Sequence, residues 1–348
     1  MDRRQFLATT LAGTAGVSQL SRAADARSAA RLPALLPPAL RPGDTLGLIS
    51  PAGATYELAP FEVAAANLRL LGFKLMESRH LRARHGHFAG TDAERAGDVN
   101  EMFGDPGVQG ILALTGGSGC TRIVDRLDYS LILRNPKFFG GFSDLTALLN
   151  AIHSQTGLVT FHSPTASSEW NAYSQENFRR IVVDGAPHLL ANPPATGALP
   201  VERNYLTRTI RPGKASGRLM GGNLAVLTSL AGSPYLPALD GAILFFEEIN
   251  EYIYRVDRML AQLRLVGAFD RLAGVVIGQF TDCKPGDGYG TLTLDEVFED
   301  YFGKLGIPVF SGCLFGHVRE KLTVPIGVMA EMDADARSIR LLQPAVMV

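Results

Sequence analysis

The chain is poor in several features that would have sent the reading elsewhere. It holds only three cysteines in 348 residues, Cys120, Cys283 and Cys313. They are too few and too scattered for a disulfide framework, and no Cys/His grouping has metal-site spacing, so no metal is expected; no bound cofactor is expected either. Charge of one sign is also lacking. With 33 basic and 34 acidic residues the formal net charge is -1, and no long basic run occurs. Nothing therefore favours nucleic acid as a partner. Beyond the first residues, no stretch reaches the ~18 uninterrupted apolar residues of a membrane span. There is no internal repeat. No glycine-rich run fits Gly-x-x-x-x-Gly-Lys-Ser/Thr or Gly-x-Gly-x-x-Gly, so neither kind of phosphate loop is signalled. The one tryptophan, Trp170, sits in the polar stretch Ser167 to Ser174, where it suits either a cleft wall or a packing anchor.

The hydrophobic content of 46% is enough for a sizeable core, and the length suggests about two domains. Residues 1–26 read as a targeting segment. Arg3-Arg4 precede Phe6-Leu7 and a modestly apolar run, and Ala24-Asp25-Ala26 is a small-residue cleavage candidate. The arginine pair resembles a bacterial twin-arginine signal, with an ordinary secretory signal, or a membrane anchor if cleavage fails, as the alternative. The mature chain is expected to be exported to the periplasm, with no membrane span after cleavage.

Apolar runs alternate with helical spacing over the first half. Strands are expected at Thr45 to Ile49, Phe73 to Glu77, Gln109 to Leu114, Phe138 to Phe142 and Leu158 to His162. Helices are expected at Leu58 to Leu71, Asp92 to Phe103, Thr121 to Leu127 and Asp144 to His153. This alternation predicts a parallel sheet covered on both faces. Prolines interrupt the pattern between Ala186 and Lys214. That divides the chain into an α/β domain over 40–185, a linker over 186–214 and a second, smaller α/β domain over 215–348. In the second domain Val324 to Gly327 and Ser338 to Leu342 are expected to pair as terminal strands.

The most informative stretch is Phe138-Phe139-Gly140-Gly141-Phe142-Ser143-Asp144. A strand turning sharply into a helix with a hydroxyl at the bend is the geometry of a nucleophile elbow. Ser143 suits the nucleophile there, and it equally suits a helix cap. The amide of Asp144 would open the following helix and could face an oxyanion. Thr115-Gly116-Gly117-Ser118-Gly119 is a second loop at a strand's carboxyl end, able to offer a backbone N–H. Ser118 is a rival nucleophile on a looser loop, and Cys120 reads as a buried structural thiol. Glu247 and Glu248 follow the apolar run Ala242 to Phe246; adjacent strand residues face opposite ways, so at most one can orient an imidazole. The other reading for them is a charged strand end facing water. Histidine is the natural base near neutral pH. His80, His85 and His87 lie in a polar loop, His153 near a helix end where a cation suits the dipole, and His188 in the linker. His162 and His317 are the two candidates left open.

These motifs occur in the order found in one family. Pro42-Gly43-Asp44-Thr45, Phe88-Ala89-Gly90-Thr91-Asp92 with Arg95, Gly116-Gly117, Leu127-Asp128-Tyr129 and Gly141-Phe142-Ser143-Asp144 come first. Gly221-Gly222-Asn223-Leu224, Ile243 to Glu247, Tyr254-Arg255-Val256-Asp257-Arg258, Gly316-His317 and Pro325-Ile326-Gly327 follow. From about Leu40 to its end the chain resembles the LD-carboxypeptidases, serine peptidases that include muramoyl-tetrapeptide carboxypeptidases and microcin-C-immunity-type enzymes. The resemblance implies a flavodoxin-like amino-terminal domain, a smaller carboxyl-terminal α/β domain and a site between them. It implies Ser143 as nucleophile, Glu247 as the orienting acid, His317 as base, and the amides of Gly117 and Asp144 as oxyanion donors. The implied substrate is a peptide with an L,D-amide bond, such as murein tetrapeptide losing a terminal D-alanine, and the implied assembly is a homodimer. A peptidyl-nucleotide or other acyl-amide is the alternative substrate. A non-catalytic periplasmic binding protein is the alternative class, since two α/β domains around a cleft suit ligand closure too. Thr115 and Ser118 stand where the family often carries arginine and tyrosine, which alters the pocket wall.

Overall fold

Short apolar runs closed by glycine or a polar cap become strands, and the amphipathic segments between them become helices. The computed structural model describes residues 32–194, 205–286 and 290–348. The expected signal, residues 1–26, lies outside them. In the first half the strands are β1 (Thr45–Ile49), β2 (Lys74–Glu77), β3 (Gly110–Ala113), β4 (Phe138–Gly141) and β5 (Thr160–His162). The helices are α1 (Ala59–Leu70), α2 (Asp92–Gly104), α3 (Tyr129–Arg134), α4 (Thr146–Thr156) and α5 (Ala172–Val182). The five strands are parallel and lie side by side in the order 5-4-3-1-2, the flavodoxin-like arrangement. Every residue of β3 and β4 is buried, as strands covered on both faces must be.

Caps explain several boundaries. The Thr91 hydroxyl accepts from Glu94 N while the Glu94 carboxylate accepts from Thr91 N, a capping box that starts α2. The segment expected as the helix Thr121 to Leu127 is a 3-10 helix, Cys120–Arg126. Helix α5 has no counterpart in the sequence reading. Its polar surface masks a buried face of Phe178, Ile181 and Val182, and the Asn171 side chain caps it. Trp170 packs edge-on against Phe178 at 5.0 Å and donates Nε1–H to Thr165 O, so it is a packing anchor and not a cleft wall.

The second half supplies β6 (Leu189–Leu190), β7 (Arg208–Arg211), β8 (Lys214–Asn223), β9 (Ala242–Ile249), β10 (Gly274–Thr281), β11 (Val309–Ser311), β12 (Val324–Ile326), β13 (Met329–Asp333) and β14 (Ser338–Leu341). Its helices are α6 (Leu224–Ser229), α7 (Ile253–Leu265) and α8 (Leu294–Phe302). All of these strands except β12 form an eight-stranded mixed sheet in the order 6-14-13-8-9-10-11-7. Two expectations are corrected. The stretch 186–214 is more than a spacer: its β6 and β7 are the two edge strands of this sheet. The terminal strands do not pair with each other either. β12 runs antiparallel to β5 of the first sheet, while β14 pairs with β13. The chain turns at Gly327 between β12 and β13 and so passes from one sheet to the other.

The two sheets are joined where α4 meets the end of β8. Thr146 Oγ1 accepts from Asn223 N at 2.9 Å, and Asn150 Nδ2 donates to Gly221 O at 2.9 Å. A Cβ at Gly222 would lie 2.6 Å from Thr146 Cγ2 and Oγ1, so only glycine permits this approach. The Gly221-Gly222-Asn223 motif thus docks the helix that follows Ser143.

Candidate active site

The elbow forms because β4 ends in small residues and the chain must then reverse into α4. Phe142 is extended, and Ser143 takes φ +63°, the left-handed region that a non-glycine residue rarely adopts. A 3-10 turn, Ser143–Leu145, leads into α4. No side chain caps either helix start, so the serine is not serving as the cap that its type suggests. Its hydroxyl is directed elsewhere.

Ser143 Oγ lies 3.1 Å from His317 Nε2, and His317 Nδ1 lies 2.8 Å from Glu247 Oε2. A carboxylate can only accept, so Nδ1 carries the proton and Nε2 is left to accept the serine O–H. Glu247 is fully buried, the His317 side chain is 17% exposed, and Ser143 is half-buried. The three side chains therefore run from the interior to the surface, with the hydroxyl at the open end.

Glu247 and Glu248 lie inside β9, and neither faces water: they are 0% and 2% exposed. Their opposite directions give them different partners. The Glu248 carboxylate accepts from Asn223 Nδ2 at 3.0 Å, Ala225 N at 2.7 Å and Ile249 N at 2.8 Å, and so binds the start of α6. Burial pushes its pKa up to about 7 against the pull of those donors, and the neighbouring Glu247 adds to the rise.

His317 sits on the loop after β11. Gly316 has φ +96°, and a Cβ there would lie 2.2 Å from Glu247 Oε2. The loop is held from several sides. Thr281 Oγ1 donates to His317 O, Asn192 Oδ1 accepts from Leu314 N, and Asn192 Nδ2 donates to Gly312 O.

The glycine-rich loop after β3 lies against the elbow. A Cβ built on Gly116 would be 3.0 Å from Ser143 Oγ and 3.6 Å from Asp144 N. The Asp144 side chain fixes this approach, because its Oδ2 accepts from Cys120 N at 2.8 Å. Burial raises the Asp144 pKa, while the Cys120 N–H and the Arg95 charge oppose the rise. Arg95, itself buried, donates to Pro51 O, Gly119 O and Asp92, bracing the loop from behind. Burial pushes the Cys120 thiol far up, so it is no nucleophile. Ser118 is exposed on the loop, and with both imidazole nitrogens of His317 engaged it stands outside the relay.

The other histidines separate cleanly. His80 is half-buried and bonds the buried Asp98 through Nδ1 at 2.8 Å, so it is not simply solvated; His85 and His87 are exposed. His153 is buried, with Nδ1 3.0 Å from Leu158 O, and burial lowers its pKa; it is not a cation serving the helix dipole. His188 bonds Asn177. His162 is buried behind the site and does not line the cleft. The sequence reading missed Thr146, Asn150 and Asn192. The first two left a trace, as polar residues spaced i, i+4 among the apolar residues of the helix's first half. Among the described residues no group of three or more His, Cys, Asp or Glu could hold a metal ion, and no helix is long and apolar enough to cross a membrane.

The family model for the LD-carboxypeptidase N-terminal domain matches residues 46–163, and that for the C-terminal domain matches residues 216–332. The chain belongs to the LD-carboxypeptidase family. It is 38% identical over 297 residues to a protein of Bacillus subtilis (strain 168) named probable murein peptide carboxypeptidase, covering 85% of this chain and 91% of that one. The structure of the muramoyltetrapeptide carboxypeptidase from Oxalobacter formigenes superposes with a TM-score of 0.72 at 29% identity, over 85% of this chain and 97% of that one. Microcin C7 self-immunity protein MccF, in complex with aspartyl sulfamoyl adenosine, superposes with a TM-score of 0.80 at 28% identity, over 90% of this chain and 100% of that one. An LD-carboxypeptidase is a serine-type peptidase, so the enzyme reading stands over a pure binding protein. The N-terminal match contains Ser143, and the C-terminal match contains Glu247 and His317.

Proposed function

We propose that this LD-carboxypeptidase cleaves an L,D-amide bond through Ser143, His317 and Glu247 and an acyl-enzyme. The observation that carries the reading is the unbroken chain of contacts, 3.1 Å from Ser143 Oγ to His317 Nε2 and 2.8 Å from His317 Nδ1 to Glu247 Oε2. His317 Nε2 takes the hydroxyl proton as Ser143 Oγ attacks the carbonyl carbon of the L-residue. Negative charge collects on the carbonyl oxygen, where the N–H groups of Asp144 and Gly117 meet it. The buried Glu247 carboxylate stabilises the imidazolium and fixes its tautomer. His317 then gives its proton to the amine of the departing D-residue as the C–N bond breaks. A water molecule, deprotonated by His317, attacks the ester and restores Ser143.

Murein tetrapeptide losing its terminal D-alanine is the substrate of first choice, supported by the named activity of the Bacillus relative and the Oxalobacter structure. The Arg3-Arg4 segment supports export to the periplasm, where peptidoglycan is at hand. A homodimer is the assembly we infer from family resemblance, to be checked by sedimentation. The decisive experiment incubates the mature protein with murein tetrapeptide and assays free D-alanine. Ser143→Ala is expected to fold normally and lose roughly 10³-fold or more in turnover. Near-full activity in that variant would falsify the assignment. A second reading, cleavage of an aminoacyl sulfamoyl nucleoside, is favoured by the superposition on MccF carrying such a ligand. The ratio of kcat/KM for the two substrates decides between them.

A further inference from the structure

Two buried polar groups beside the site have no hydrogen-bond partner among the described residues: Oε1 of Glu247, and both ring nitrogens of His162. His162 ends β5, in register with Gly141 of β4 on one side and Val324 of β12 on the other. It is therefore one strand away from the elbow. Its ring is 1% exposed and caged by Phe142, Phe245 and Phe315, at centroid distances of 6.0, 5.7 and 6.2 Å. Each of these rings leads to the site. Phe142 precedes Ser143 and packs on the His317 ring at 4.9 Å. Phe315 is two residues before His317. Phe245 is two residues before Glu247 on β9, so the two share a face of the strand.

An apolar cage of this kind is better filled by phenylalanine than by an imidazole, whose buried nitrogens lose their hydration and gain nothing. The titratable groups that face the ring are Glu247 from β9, and His317 and Lys321 from the loop after β11. Burial holds the His162 pKa down to about 4, so near neutrality the ring is uncharged, with one N–H to donate and one nitrogen to accept. One internal water would partner two of these three atoms, giving an O–H to Glu247 Oε1 and bonding one ring nitrogen of His162.

We propose that His162 is a positioning residue that holds, through one buried water, the Glu247 oxygen His317 does not use. The proposal rests on the reading of Ser143, His317 and Glu247 as the catalytic relay. A donor on Oε1 draws carboxylate charge away from Oε2 and fixes the plane of the group. Without it the carboxylate rotates more freely and holds the imidazolium more tightly, so the acid limb of the rate profile moves to higher pH.

The test is the pH dependence of Ser143 phosphonylation by a fluorophosphonate probe, in the full chain and in His162→Phe and His162→Asn. In the Phe variant we expect labelling roughly tenfold slower at neutral pH and an acid limb about 0.5–1 pH unit higher, with thermal stability unchanged or raised. The Asn variant, able to hold the water, recovers part of both. A purely packing role gives the opposite pattern, with Phe harmless and Asn damaging. That pattern overturns the proposal, as does slowing with an unmoved limb. Should the Phe variant fail to fold, a high-resolution crystal structure of the unmodified enzyme decides: a water bonded to both Oε1 and the ring supports the assignment, and its absence overturns it. No labelling of Ser143 in the unmodified enzyme brings down the relay reading itself, and this proposal with it.

Discussion

Gly316 has no room for a side chain. A Cβ there would press on the Glu247 carboxylate at 2.2 Å from Oε2, and the backbone already sits at φ +96°. Gly316→Ala should therefore displace either the loop bearing His317 or the carboxylate that orients it. We expect kcat to fall roughly 100-fold, because a displacement of about 1 Å at a reacting group has that effect, with KM little changed. Steady-state kinetics on a folded Gly316→Ala variant checks this, and unaltered kcat would show that the loop relaxes without disturbing the relay. At this scale the sequence is legible in kind but not in choice. The strand-to-helix bend made Ser143 a candidate, and strand alternation already said that only one of Glu247 and Glu248 could face an imidazole. Whether Ser143 caps a helix or meets a base depends on its left-handed φ and on a histidine 174 residues away, neither of which is local. The same holds for His162 and His317. Both lie near Phe142, but only His317 brings its nitrogens within reach of Ser143 and Glu247.

Elements that carry their own signals were legible. β1 and α2 fall within a residue of where periodicity and capping put them, and Thr91 closes the capping box that starts α2. Elements decided by long-range pairing were not. β12 reads as a partner for the last strand, yet it completes the edge of the first sheet, and β6 and β7 read as linker because each is short and proline-flanked. The stretch around them is tied to the loop that carries His317. Asn192 accepts from Leu314 N, and its amide group donates to Gly312 O and Tyr205 O, so it clamps the start of the loop that carries His317. Asn192→Ala leaves that backbone N–H to find another acceptor and frees the loop. We expect a loss of about 1–3 kcal/mol in stability and a drop in kcat of roughly tenfold, with Ser143, Glu247 and His317 all in place. Urea unfolding and turnover measured on the same variant check it. A stability loss with kcat intact would mean that the clamp holds the sheet edge and not the loop that carries His317.

Across the whole molecule, buried ionisable groups on either side of the site oppose one another as pH changes. His162 has its pKa lowered to about 4 by burial, so between about 4 and 6.5 the unfolded chain binds the extra proton and this group makes stability rise with pH. His153, lowered for the same reason, acts in the same sense. Glu248 is raised to about 7, mainly by burial, so between about 4.5 and 7 the folded chain holds the extra proton and this group makes stability fall as pH rises. Asp144, also raised by burial, sides with Glu248. Each of the two larger effects is on the order of 3 kcal/mol across its window, and the windows overlap between about 4.5 and 6.5. The unmodified protein should therefore show a nearly flat contribution from these groups there, and removing one side should tilt it. Glu248→Gln leaves the histidines opposed by Asp144 alone, and its Tm is expected to be higher at pH 6.5 than at pH 4.5, by roughly 5 °C or more relative to the unmodified protein. His162→Phe leaves the carboxyls opposed by His153 alone and should tilt the other way. Surface carboxylates such as Asp92 and Glu176, whose pKa values arginine partners hold down, titrate identically in all three proteins and cancel in the differences. Scanning calorimetry at the two pH values reads the tilt. Three parallel curves would mean that neither Glu248 nor His162 changes its proton on folding, and the opposing-charge account of this interior would have to be given up.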